Sequence, residues 1–206
     1  MGSIEPVSED IWRWEVPSAD PDQPDLVGHV VRTADGWVVF DPPAAPGVVS
    51  ALRALGSVSG ILLTGGHHDR AAGALRARVG MPPIAAPARD VAGLVAAGVL
   101  VDQALAEGDR IFGFDVIDLP TVQNFGAECA FFDPRRRLLV VSDLVVAGAH
   151  GLMHYGEAFH ADVTAVSLRA HLKRLMELEP TILLAGHGQD LTEDSARQLA
   201  ELYRRG

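Results

Sequence analysis

The sequence predicts a single domain, residues 1–206, that mixes α-helices with β-strands. Three observations lead there. Short apolar runs such as Ile61-Leu62-Leu63 and Thr181-Ile182-Leu183-Leu184-Ala185 end in glycine- and histidine-rich turns, as buried strands do. Residues 48–55, 88–97 and 163–178 carry apolar side chains at helical spacing. A chain of 206 residues that is 48% hydrophobic can bury a sizeable core and has no reason to stay disordered.

Taken in order, residues 11–16 (Ile-Trp-Arg-Trp-Glu-Val) alternate apolar and polar, which fits a half-buried strand. Residues 17–24 form a proline- and aspartate-rich loop. Residues 27–32 and 37–40 flank Ala34-Asp35-Gly36, a strong hairpin signature. Trp12, Trp14 and Trp37 are expected to pack, and His29 to be a strand residue without a metal role. Asp41-Pro42-Pro43 closes the hairpin, and a helix over 48–55 stops at Gly56. Residues 71–79 read as helix. Residues 82–86 read as a short edge strand, because prolines cannot donate to a ladder. A helix over 88–97, two short strands or one bulged strand over 111–119 around Gly113, and strands over 127–132 and 138–141 follow. Arg135-Arg136-Arg137 after Asp133-Pro134 reads as a solvated hairpin turn. The helix over 163–178 ends at Glu179-Pro180, the strand over 181–185 runs into Gly186-His187-Gly188, and an amphipathic helix finishes the chain.

Composition excludes several classes of function. A formal charge of −10 argues against a general nucleic-acid binder. No apolar run reaches the ~18 residues needed to span a membrane. The first residues lack the basic and apolar regions of a signal peptide. Cys129 is the only cysteine, so no intrachain disulfide forms, and a cytoplasmic setting is expected. Cys129 itself is expected in the core.

The chemistry is concentrated in Thr64-Gly65-Gly66-His67-His68-Asp69-Arg70. Two imidazoles and a carboxylate at one strand end are zinc-type ligands. Arg70 beside them brings a permanent positive charge, which conflicts with metal binding. The stretch resembles the Thr-His-x-His-x-Asp-His signature of the metallo-β-lactamase-fold hydrolases. Aligned on Thr64, Gly65 and Arg70 stand where that family has histidines, while His67 and Asp69 match. Gln123 in Pro120-Thr121-Val122-Gln123 falls at the third histidine position, Asp143 after 138–141 at the bridging carboxylate, and His187 at the closing histidine. The likeness runs from about residue 11 to 203. It implies an α+β fold, a four-layer αββα sandwich with a site on one rim between two sheets.

The resemblance implies up to two metals, of which the first pocket keeps only His67. The second keeps Asp69, Asp143 and His187 but contains Arg70. Two unit charges ~4 Å apart interact by about 4 kcal/mol at an effective dielectric of ~20, so a divalent ion beside a guanidinium meets roughly 8 kcal/mol of repulsion. The candidate metal set is therefore His67, Asp69, Asp143 and His187, with no metal or a single divalent ion, zinc by preference. Asp69 is the catalytic general-base candidate if it does not ligate. Gly65, His68, Arg70, Gln123, His150, His154 and His160 are expected to line the site, His68 exposed at its rim and the last three on a lid loop. His171 is expected to be exposed. Arg70 is expected either to pair with Asp69 and Asp143 in place of a cation or to swing outward. Asp41 is read as a turn-capping or outer-shell carboxylate. Three functions compete: a non-hydrolytic protein binding a small molecule at the old site, a hydrolase of an ester, thioester or lactam-like carbonyl using one metal, and a structural role with no sequence feature in its favour.

Overall fold

A computed structural model of the protein describes residues 4–18, 24–119, 128–148, 151–154 and 165–205. Fourteen strands are described: β1 Glu5–Ser8, β2 Ile11–Val16, β3 Leu26–Thr33, β4 Gly36–Phe40, β5 Val58–Leu62, β6 Ile84–Pro87, β7 Gln103–Leu105, β8 Arg110–Ile111, β9 Phe114–Leu119, β10 Glu128–Asp133, β11 Leu138–Val141, β12 Val145–Gly148, β13 Gly151–His154 and β14 Ile182–Ala185. The helices are α1 Val48–Leu55, α2 Ala72–Arg76, α3 Val91–Ala96, α4 Ala165–Glu177 and α5 Ser195–Arg205.

Strands β1 to β7 form one sheet in sequence order, and a second sheet runs β14-β11-β10-β9-β8. The period-two side-chain alternation of strands explains the layers. In the first sheet Val31, Val38, Phe40 and Leu62 point inward and meet Phe114, Val116, Phe131, Val140 and Leu184 of the second. Phe40 packs edge-to-face on Phe114 and Phe131, at centroid distances of 5.2 and 5.5 Å. The alternate residues Val30, Val39, Ile61 and Leu63 face the other way, against Val48 and Leu52 of α1, Leu75 of α2 and Leu94 of α3. The outer face of the second sheet, with Leu139, Val141 and Leu183, packs on Leu172 and Leu175 of α4 and Leu199 and Leu202 of α5. The result is the expected α+β sandwich of four layers, αββα.

Some expectations change. Residues 84–87 lie between β5 and β7 rather than at an edge. Pro82 and Pro83 precede the strand, so neither is asked to donate within it, and the Pro83 carbonyl accepts from Ile61 N–H. The helix expected over 71–79 is regular only to Arg76, and that over 88–97 only from Val91 to Ala96. Of the two readings of residues 111–119, two short strands holds rather than one bulged strand: β8 and β9 form a hairpin turning at Phe112-Gly113. The segment after Asp143, read as a loop, contains the β12–β13 hairpin. His171 is buried, not exposed. No described helix is long and apolar enough to cross a membrane.

The parallel pairs β4–β5 and β11–β14 decide where the site lies. Their carboxyl ends open at the same rim: β4 runs into Asp41, β5 into Thr64 and the histidine turn, β11 into Ser142-Asp143 and β14 into Gly186-His187. Two main-chain hydrogen bonds join the sheets at this rim, Val27 N–H to Gly186 O (3.0 Å) and Cys129 N–H to Thr64 O (2.6 Å).

Candidate functional site

The turn after β5 is set by two carboxylates. Asp41 is buried; one of its oxygens accepts from Thr64 N–H (2.9 Å) and the other from the Thr64 hydroxyl (2.7 Å). Asp90, at the start of α3, accepts from Gly66 N–H at 3.1 Å. Between these anchors Gly66–His68 closes into one 3-10 turn. Successive side chains in such a turn point about 120° apart, so two adjacent histidines cannot both turn inward between the sheets. The one that does is His68.

His68 is 4% exposed, whereas His67 is exposed and makes no side-chain hydrogen bond or ion pair among the described residues. This reverses the expected arrangement, in which His67 faced the site and His68 lay at the surface. The His68 ring lies between carboxylates: Nδ1 is 3.4 Å from Asp41 Oδ2 and Nε2 is 3.1 Å from Asp143 Oδ2. Ser142 Oγ lies 2.9 Å from Nδ1. Burial alone would lower the imidazole's proton affinity. The two carboxylates outweigh it and push the pKa up to about 10.

His187 completes the group. Its Nδ1–H donates to the Asp25 carbonyl (2.9 Å), and its Nε2 is 3.1 Å from Asp143 Oδ1. Its ring centroid is 6.0 Å from that of His68. Asp143 therefore presents one oxygen to each imidazole. Burial works to raise its pKa, but His68 and His187 hold it well below the carboxylate range. Asp41 is likewise held below its ordinary value against the effect of burial, by His68 first and Arg70 after it.

Behind Asp143 sits Glu128, which sequence reasoning missed. Its carboxyl accepts from the Asp143 and Leu144 N–H groups at 2.6 and 3.1 Å, which fixes the turn that presents Asp143. Burial and the neighbouring Asp143 charge push its pKa up to about 8. The available sequence clue was an acid directly before the apolar run Cys129-Ala130-Phe131-Phe132 of β10.

Arg70 does not form the expected ion pair with Asp69 or Asp143. Its Nη1 donates to two backbone carbonyls, Val27 O (2.7 Å) and Asp41 O (3.0 Å), and its backbone sits at a φ of 39°. Carbonyls at strand ends are strong acceptors with no ladder partner beyond the last residue. They draw the guanidinium toward the β3–β4 side of the rim, away from the carboxylate pair. Asp69, half-buried, accepts from Arg70 N–H at 2.8 Å and makes no ion pair among the described residues. Gly65 is buried and extended and supplies no ligand atom. His154 is buried on β13. Gln123, His150 and His160 lie outside the described residues.

The dinuclear arrangement does not fit these residues, because Gly65 offers no side chain and Arg70 is committed to carbonyls. One cation does fit: His68, Asp143 and His187 each offer a ligand atom, and the three lie within 4.8 Å of one another. The order Ser142–His68–Asp143 also has the connectivity of a nucleophile, base and orienting acid. Ser142 is wholly buried, however, and is closed off by Gly186 packing on it.

No protein-family model matches the chain, and no curated protein matches it significantly. Solved structures do. DIM-1 metallo-β-lactamase exposed to ceftazidime is 20% identical with a TM-score of 0.73, the match covering 99% of this chain and 97% of that one. A metallo-β-lactamase from Pontibacter korlensis is 15% identical with a TM-score of 0.72 and full coverage of both chains. The chain has the metallo-β-lactamase fold. A mutant flavo di-iron protein from Thermotoga maritima shares it as well, at 16% identity and a TM-score of 0.76, the match covering 99% of this chain and 62% of that larger one. In this metallo-β-lactamase-fold chain, His68, Asp143 and His187 at the strand-end rim form a group that could hold a metal ion.

Proposed function

We propose that this protein is a small-molecule-binding member of the metallo-β-lactamase fold that works without a dinuclear metal centre and is not a dinuclear zinc hydrolase. One observation carries the reading: the buried His68 lies between Asp41 and Asp143 with a carboxylate near each ring nitrogen. As an imidazolium it supplies the positive charge that two facing carboxylates require. A cation is thus built into the chain where a second metal would otherwise balance them. The rim between the sheets remains the place for a small ligand, since ligands in open α/β layers collect at strand ends. The test is elemental analysis of protein incubated with zinc and desalted. Fewer than two equivalents are expected, and two tightly held equivalents would refute the reading.

A second reading has its own observation, the convergence of His68, Asp143 and His187 within 4.8 Å. In it the protein is a hydrolase of an ester, thioester or lactam-like substrate with one divalent metal, zinc by preference. Those three residues would hold the ion, which would polarise the carbonyl and supply an activated water. Asp69, half-buried at the rim, is the general-base candidate, accepting the water's proton. Asp41 and the Asp25 carbonyl would keep the two rings oriented. Hydrolysis of a chromogenic ester that tracks bound metal, and disappears in Asp143→Asn, would favour this reading over the first.

A further inference from the structure

We propose that the cleft between α5 and β13 binds a small phosphate monoester bearing a hydroxyl group, its phosphate on Arg204 and Arg205 and its hydroxyl on Oε1 of Gln198. The site uses none of the residues at the strand-end rim and stands independently of the function proposed there.

The face of the last helix carries the inference. At ~100° per residue, positions 197, 198, 201, 204 and 205 fall within one stripe of roughly 120° on α5. With Gly151 and Leu152 of β13, that stripe lines a cleft of about 430 Å³, a volume within the range of small-molecule sites. Three arginines against one glutamate give the lining a charge of +2, on a chain whose formal charge is −10. Arg197 is neutralised by Asp194 (2.8 Å) and Glu201 (2.7 Å). Arg205 donates through Nη2 to the Leu152 carbonyl at 2.6 Å, which holds the guanidinium at the cleft without cancelling its charge. Arg204 is exposed and makes no ion pair or side-chain hydrogen bond among the described residues. The uncompensated charges are therefore Arg204 and Arg205.

A helix C-terminus favours cations, which accounts for basic residues at this end of α5. It does not account for Gln198, whose Oε1 is buried and has no hydrogen-bond partner among the described residues. Gly151, at a φ of 97°, meets that oxygen with no side chain; a Cβ there would lie 3.3 Å from it. A buried acceptor without a donor is destabilising, and a ligand hydroxyl would satisfy it. The anion is a phosphate for a geometric reason. Neighbouring helix positions direct their side chains ~100° apart, so two guanidiniums reach one anion from different directions. A phosphate has oxygens for both forks, whereas a planar carboxylate serves one. The negative charge of the rest of the chain does not prevent this, because fields beyond ~8 Å are largely screened at physiological salt.

The experiment is titration calorimetry of the whole, metal-free protein at low salt with glucose 6-phosphate, inorganic phosphate, glucose and succinate. Glucose 6-phosphate is expected to saturate with a Kd of ~1 mM or tighter, inorganic phosphate more weakly, and glucose and succinate not at all. Arg204→Gln removes no contact to a described residue; it should melt like the parent and weaken glucose 6-phosphate by roughly tenfold or more. Gln198→Leu should weaken glucose 6-phosphate and leave inorganic phosphate unchanged, a split that a structural disturbance would not produce. Arg78→Gln, at an exposed position just beyond α2, is the control expected to match the parent. Failure of both phosphates to saturate at ~10 mM, binding that survives Arg204→Gln, or succinate binding as tightly as glucose 6-phosphate overturns the inference. Gln198→Leu affecting both phosphates alike, or neither, overturns the assignment of the hydroxyl.

Discussion

His68→Ala in metal-free protein is the sharpest probe of the site. The substitution leaves Asp41 and Asp143 facing each other across the space the ring filled. Attractions at 3.4 and 3.1 Å are worth about 5 kcal/mol each at an effective dielectric of ~20, before the burial of the charges is subtracted. The rise of the imidazole's pKa from its ordinary 6.5 to about 10 already contains that subtraction. At ~1.4 kcal/mol per tenfold step in proton affinity it corresponds to about 5 kcal/mol. Breaking a buried ion pair by removing one partner costs ~3–5 kcal/mol, which agrees. For a chain of this size that is a fall in Tm of roughly 6–20 °C. The pH dependence fixes the cause. A group whose folded pKa is raised stabilises fully below its unfolded pKa, here 6.5, and the benefit disappears as pH rises through about 10. The assay is thermal unfolding of parent and variant in chelator at pH 6 and near pH 10, with His67→Ala as an exposed control expected within ~0.5 kcal/mol of parent. A variant that melts within a degree of the parent at pH 6, or is equally destabilised at both pH values, would refute the ion-pair account.

Arg70→Ala should cost about 2–3 kcal/mol in chemical denaturation, because the Val27 and Asp41 carbonyls lose a charged donor. Gly186→Ala should destabilise by about 1–3 kcal/mol, since its new Cβ would lie 2.3 Å from Ser142 Oγ and 3.0 Å from Ser142 Cα; a calorimetric scan reads this, and an unchanged melting curve would contradict it. Asp190 is a buried carboxylate 2.9 Å from His29 Nε2, and it accepts from Ala185 N–H in the strand that leads to His187. Burial would raise its pKa, but His29 and then Arg13 hold it below 3.8. A depressed acid stabilises above its unfolded pKa and loses that contribution as pH falls. Urea unfolding should therefore show Asp190→Asn less stable than parent at pH 6, with the gap narrowing as pH falls below the ordinary carboxylate range.

Much of the architecture was legible because the interior is built from period-two strands and one-sided helices. The alternation of residues 11–16 and the Ala34-Asp35-Gly36 turn state their own geometry. Short elements were not legible. β1, and the β12–β13 hairpin with its four-residue strands, carry too few side chains to show a period. The prolines before β6 suggested an edge because sequence does not reveal which neighbours a strand acquires.

At the site, the sequence by itself determined which groups are available. It placed Asp41, the histidine turn, Asp143 and His187 at the ends of apolar strands, and it removed two motif ligands by putting Gly65 and Arg70 in their places. Only the tertiary structure decided which histidine faces inward and what Arg70 holds. Adjacent residues in a tight turn diverge by about 120°, so the choice between His67 and His68 depends on how the turn is pinned. The pins are Asp41 on Thr64 and Asp90 on Gly66, both more than twenty residues away in the chain. Arg70 likewise answers to the carbonyls of Val27 and Asp41, brought beside it by the packing of β3, β4 and β5 rather than by anything in its own segment.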